Sequence, residues 1–252
     1  MKRYIKVVIA ILGILLLAHL SVTVVMVKKA TENPTSEQVP YNYVENLNGI
    51  GCLRIGMTIS EAKKALDSLY LSYGDYLRKN YNRIDYVRIK RNEMLKQVEP
   101  LFYKAPSAYT PNHKEYEVTL IFSEDFAVDE IKAYFWADTL YRIHIPNSII
   151  GAQDIGKGLL KKYGEGIGYY NQTRDTEDQL YRWGNDNVIA TYRGKTTYNL
   201  NSQGIASGVA SWFHEVEIIK NDLELTEKIE DYLNQADSLW QAKKDAERYK
   251  NL

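Results

Sequence analysis

Residues 116–164 carry three segments rich in β-branched and aromatic side chains, then one amphipathic helix, and that succession leaves few folds open. The segments read Tyr116-Glu-Val-Thr-Leu-Ile-Phe122, Ile131-Lys-Ala-Tyr-Phe-Trp136 and Leu140-Tyr-Arg-Ile-His-Ile145. Side chains two apart share a strand face, which groups Tyr116, Val118, Leu120 and Phe122 in the first and Ile131, Ala133 and Phe135 in the second. In the third, Tyr141, Ile143 and Ile145 form the apolar side and His144 faces away. Ala137-Asp138 is a tight connection between the last two strands. A helix over residues 154–163 follows, capped by Ser148 and stopped at Gly164, where a left-handed C′ residue is needed. The predicted class is α+β with a mainly antiparallel sheet.

The flanks extend this nucleus. Thr58 followed by Glu61 is a capping box, and Ala62, Ala65, Leu66, Leu69 and Tyr73 recur at helical spacing, so a helix runs from about residue 59 to 72. Cys52, the sole cysteine, sits just before it as a small buried hydrophobe; one cysteine permits neither an intramolecular disulfide nor a thiolate metal cluster. Leu180-Tyr-Arg-Trp183 and Val188-Ile-Ala-Thr-Tyr192 flank a turn of Gly-Asn-Asp-Asn and read as a hairpin. Residues 194–208 are polar and rich in Gly, Ser and Asn, which predicts a long loop, and residues 209–219 a strand carrying Trp212 and His214. From 222 to 252 the chain is predicted helical, with Leu225, Ile229, Tyr232, Leu233, Ala236, Leu239 and Trp240 on period, and an end with little to bury that projects toward a partner.

The N-terminus specifies an address. Residues 7–27 form an uncharged, mostly aliphatic run between Lys2, Arg3, Lys6 and Lys28-Lys29. As a helix it rises about 31 Å, the thickness of a bilayer core. Its length favours an uncleaved signal anchor over a cleaved signal peptide, and secretion after cleavage is the alternative. The predicted organisation is a transmembrane segment at 1–29, a Pro-punctuated linker at 30–40 and an extracytoplasmic domain at 41–252. Two sub-domains, 41–112 and 113–252, are also compatible with the pattern.

Residues 1–40 hold five of the 32 basic and two of the 32 acidic side chains, leaving the remainder with 27 and 30. A body three charges on the acidic side gives no reason to expect nucleic acid as a partner. Basic and aromatic residues interleave after residue 75, and Arg78, Lys79, Arg83, Arg88, Lys90 and Arg91 are the candidate anion-facing surface. Tyr is abundant, 21 against five Phe and four Trp, and Tyr141, Trp183, Tyr192 and Trp212 are the candidate aromatic binding surface. Catalytic signatures fail one by one. Gly151-Ala-Gln-Asp-Ile-Gly-Lys-Gly158 copies a phosphate-binding loop except for the hydroxyl residue its last position requires. No His pair has ligand spacing, and His214 and Glu215, being strand neighbours, point to opposite faces. No cofactor, metal or catalytic residue is predicted.

Ile55-Gly-Met-Thr58, with Glu61 opening a helix, resembles the start of SmpA-type envelope domains, outer-membrane-assembly lipoproteins that share a helix-pair-plus-sheet design with the β-lactamase inhibitor proteins. The Leu140-Tyr-Arg-Ile strand, the Lys162-Tyr-Gly164 helix end and the Trp-bearing hairpin are similar to uncharacterised exported proteins of the Bacteroides group. These resemblances imply an envelope or protein-binding role and transfer no catalytic residue. The expected function is a membrane-anchored, non-catalytic envelope binding or assembly module with a protein or cell-wall partner, in the periplasm or cell envelope. An exported hydrolase acting on a cell-wall component and an immunity or inhibitor protein are the alternatives.

Overall fold

The structure, a computed structural model, describes residues 40–79, 94–100, 104–123, 126–146 and 151–249. The expected membrane span and the linker up to residue 39 lie outside the described residues. Among the described residues no helix is long and apolar enough to cross a membrane.

The nucleus forms as the pattern requires. Strands β5 (His113–Ser123), β6 (Phe126–Trp136) and β7 (Thr139–Ile145) pair antiparallel in sequence order. Ala137 and Asp138, at φ 45° and 71°, make the two-residue turn between β6 and β7. Left-handed backbone at both positions matches the twist of the flanking strands. The pairing continues outward through β4 (Leu95–Val98) on β5. On the other side, β11 (Ala206–Lys220) joins β7 and β10 (Val188–Leu200) joins β11. Then come β9 (Thr176–Gly184) and, along its outer edge, β8 (Ile167–Gln172) and the parallel β1 (Asn42–Tyr43). A separate ribbon of β2 (Gly49–Ile50) and β3 (Leu53–Arg54) completes the strands among the described residues, and Pro40–Leu252 is one compact unit whose sheet runs across position 112. The architecture is α+β with a mostly antiparallel sheet, as predicted.

Helix α1 (Ile59–Lys79) begins at the predicted capping box. The Thr58 amide donates to the Glu61 carboxylate at 2.8 Å and the Glu61 amide to Thr58 Oγ1 at 3.2 Å. It buries Ala62 and Leu66 against the same core as Val118, Leu120, Phe135 and Ile143. Helix α2 (Ala152–Tyr163) lies on that face over β10 and β11. Its N-cap is Gly151, with no side-chain cap; the predicted cap, Ser148, lies outside the described residues. Gly164, at φ 74°, closes it as expected. Helix α3 (Leu223–Tyr249) is capped by Asp222, which accepts the Leu225 amide at 3.0 Å, and packs on the opposite face through a Trp136–Tyr232 edge contact at 5.0 Å. Residues 241–248 are all exposed.

Three local expectations are corrected. Residues 194–208 are not a long loop. Thr196, Thr197 and Tyr198 carry β10 on to Leu200, and the turn spans only residues 201–205, with Gly204 at φ 70°. The glycine run Gly164-Glu-Gly-Ile-Gly168 reads as a helix stop and loop, yet its last two residues open the edge strand β8; a Cβ at Gly168 would collide with the Leu180 backbone, so glycine permits the close pairing. Tyr141 is not on the apolar side of β7. Tyr134 pairs with Arg142 and Phe135 with Leu140, leaving Tyr141 as the extra residue of a bulge. Leu140, Ile143 and Ile145 therefore fill the core, and Tyr141 turns to the other face against Tyr134 and His113.

Candidate functional site

Helix α2 lies close to the sheet because of one glycine. A Cβ on Gly156 would collide with the ring of Tyr192 in β10, so only glycine lets the helix axis come this near. Gly151 likewise abuts Val128, where a Cβ would sit 2.6 Å from Cγ2. These two glycines of the phosphate-loop look-alike therefore serve packing. At the far end of α2, the Trp183 indole N–H donates to the Gly164 carbonyl at 2.9 Å.

Beneath α2 the rings form a continuous ladder across three strands. Trp183 and Tyr181 of β9 lie 6.1 Å apart at 26°, Tyr181 and Tyr192 6.5 Å at 15°, Tyr192 and His214 6.0 Å at 18°, and His214 and Trp212 of β11 6.0 Å at 28°. Gly194 opens space for the imidazole, since a Cβ there would lie 2.6 Å from His214 Nδ1. Three of the four residues expected to form an aromatic surface thus meet in one ladder. They do not form a surface: Trp183 and Tyr192 are fully buried, and Trp212 alone opens to solvent, 45% exposed. Tyr141 is buried on the other face, its hydroxyl 3.0 Å from His113 Nε2.

The open end of the ladder lines a cleft of about 330 Å³ between the first turn of α2 and the β10–β11 hairpin. Trp212, Val209 and Tyr198 supply its apolar wall, and Gln153, Asp154 and Thr196 its polar groups. Behind Tyr198, Glu177 accepts hydroxyl hydrogen bonds from Tyr198 at 2.9 Å and Tyr170 at 2.8 Å, which holds the outer rings in place. Those bonds to a carboxylate raise both phenols above their ordinary range.

His214 is the one imidazole at the cleft, and its surroundings make it a weak base. Nδ1 lies 2.9 Å from the Tyr192 hydroxyl and Nε2 3.3 Å from Thr196 Oγ1. Burial, with Lys157 adding to it, holds its pKa below the usual imidazole value, and Glu177 opposes this only in part. Burial likewise raises Tyr192 far above the phenol range. Both ring nitrogens are committed to hydroxyl partners inside the protein, and Thr196 is itself buried. The arrangement positions a ring; it does not present a nucleophile activated by a base.

On the opposite face, charges pair across strands. Lys132 lies 2.7 Å from Glu117 and 3.5 Å from Glu115, Arg142 2.6 Å from Glu217, and His144 2.8 Å from Glu215. The Arg142 guanidinium also sits over Tyr134 at 5.2 Å. As predicted, His214 and Glu215 serve opposite faces. Of the expected anion-facing set, Arg78 and Lys79 fall in the last turn of α1, and Arg83, Arg88, Lys90 and Arg91 lie outside the described residues. Among the described residues no group of three or more His, Cys, Asp or Glu is placed to hold a metal ion.

Asp154, Gln153, Thr196 and Tyr198 were not singled out from the sequence. The period-two run Tyr192, Gly194, Thr196, Tyr198 is the signal that would have placed the last two beside the ladder. No family model matches the chain, and neither does any curated protein or solved structure.

Proposed function

We propose that the protein is a non-catalytic binding module of the cell envelope, held at the membrane by residues 7–27 and engaging its ligand through the Trp212 cleft. The observation that carries this reading is a solvent-exposed indole backed by a rigid aromatic ladder in a cleft whose only histidine is buried and weakly basic. A ring fixed from behind loses little freedom on binding, which favours recognition. The uncharged 21-residue run, the Pro-rich linker and the resemblance to exported envelope domains support the location.

Fractionation of cells producing the full chain, with protease added from outside the cytoplasmic membrane, tests the location. The expected result is a membrane-bound chain digested down to its anchor; full-length protein free in the cytosol contradicts the reading. Incubation of the purified chain with isolated envelope material tests the absence of catalysis. Retention without soluble products agrees with a binding module, whereas release of products that His214→Ala abolishes establishes a hydrolase instead.

A further inference from the structure

We infer that the Trp212 cleft takes a neutral pyranose ring, an inference that rests on the binding reading above and names its ligand class. Among the described residues no Lys or Arg lines the cleft, while Asp154 stands in it and Glu177 lies behind Tyr198. A phosphate, sulfate or uronate would meet the Asp154 carboxylate with no cation among these lining residues to pair with, and Lys157, which acts on His214, stands outside the lining, so anionic ligands are disfavoured.

The Trp212 indole is 45% exposed, with His214 beside it at 6.0 Å and 28°, so it offers the cleft a flat apolar surface. Val209, 55% exposed, lies in the same wall and extends that apolar area. A pyranose presents such a surface through its axial C–H bonds and carries hydroxyls around its rim. Each hydroxyl both donates and accepts. The Asp154 carboxylate accepts, the Gln153 amide does both, and these two sit on the α2 side facing the platform. A cleft of about 330 Å³ is at the small end for ligand sites and suits a ring rather than a folded segment of protein. One ring held by one platform and two or three polar groups binds weakly, with dissociation constants on the order of a millimolar.

The test is titration of the full chain in detergent, followed by calorimetry and tryptophan emission. The probes are N-acetylglucosamine, malto-, cello- and manno-oligosaccharides, with polygalacturonate as the anionic counterpart. The expected result is saturable binding of at least one neutral saccharide and none of polygalacturonate. Trp212→Ala weakens it tenfold or more, Asp154→Asn several-fold, and Trp240→Ala on α3 not at all. Because Trp212 is exposed, its truncation leaves the fold intact, which the urea midpoint checks. Affinity unchanged by Trp212→Ala, preference for polygalacturonate, or no neutral saccharide bound at tens of millimolar overturns the inference. A pull-down from solubilised membranes separates the two levels. Recovery of a protein partner that depends on Trp212, without saccharide binding, sinks this inference and leaves the binding reading standing; recovery of neither sinks both.

Discussion

Two glycines of α2, two residues apart, should respond to alanine with opposite signs. At Gly158 a Cβ would meet nothing within 4 Å, so alanine gains only helix propensity, about 0.5–1 kcal/mol. At Gly156 the same methyl would collide with Tyr192. That ring cannot step aside, because Tyr181 and His214 flank it and its hydroxyl is bound to His214. Overpacking of this kind costs roughly 1–3 kcal/mol, which the propensity gain offsets only in part, leaving a net loss of about 1–2 kcal/mol. For a chain of this size the melting temperature should fall by roughly 3–6 °C in Gly156→Ala and rise by about 2–3 °C in Gly158→Ala. Urea denaturation followed by tryptophan emission gives both values on one scale. If the two variants shift in the same direction, α2 does not rest on Tyr192 and the ladder beneath it is misplaced.

Asn185 ties the start of the unit to the β9–β10 turn. Its amide donates to the Val44, Glu45 and Leu47 carbonyls and its oxygen accepts from the Asn187 and Val188 amides, so Asn185→Ala should lower the unfolding free energy by roughly 2–4 kcal/mol. Asn185→Asp should do no better, since a carboxylate would face three carbonyls; a urea midpoint near wild type would refute both. Burial, aided by Arg142, lowers His113 from 6.5 to about 4. The folded state therefore refuses a proton that the unfolded state accepts. Stability from this group is full above pH 6.5 and lost as the pH falls toward 4, about 2 kcal/mol of it between pH 7 and 5. His113→Gln should flatten that slope, as urea titrations at both pH values would show. Thr58→Ala removes one half of the capping box and should cost about 1 kcal/mol, read as an earlier urea midpoint.

The strands of the nucleus and the start of α1 were legible because their signals are local. Alternation at Ile131, Ala133 and Phe135, and a hydroxyl three residues before a carboxylate, need no distant partner to take effect. What misled were positions where one residue changes the parity or where composition suggested a loop. The bulge at Tyr141 moved a predicted core residue to the other face, and nothing in Leu140-Tyr-Arg signals an extra residue. The run after Gly194 looked like loop because its glycines and serines are frequent, yet Gly194 is there for the His214 ring and Ser207 lies at a bulge. The cleft was half legible. Trp212 and His214 were singled out on one strand, but their union with Asp154 depends on α2 crossing β11, a long-range contact that sequence spacing does not encode.

The most direct test is co-sedimentation of the purified full chain and its Trp212→Ala variant with isolated cell envelopes. Wild type should be retained and the variant should lose most of that retention, at equal urea midpoints. Equal retention of the two proteins would show that the exposed indole is not where this protein meets its ligand.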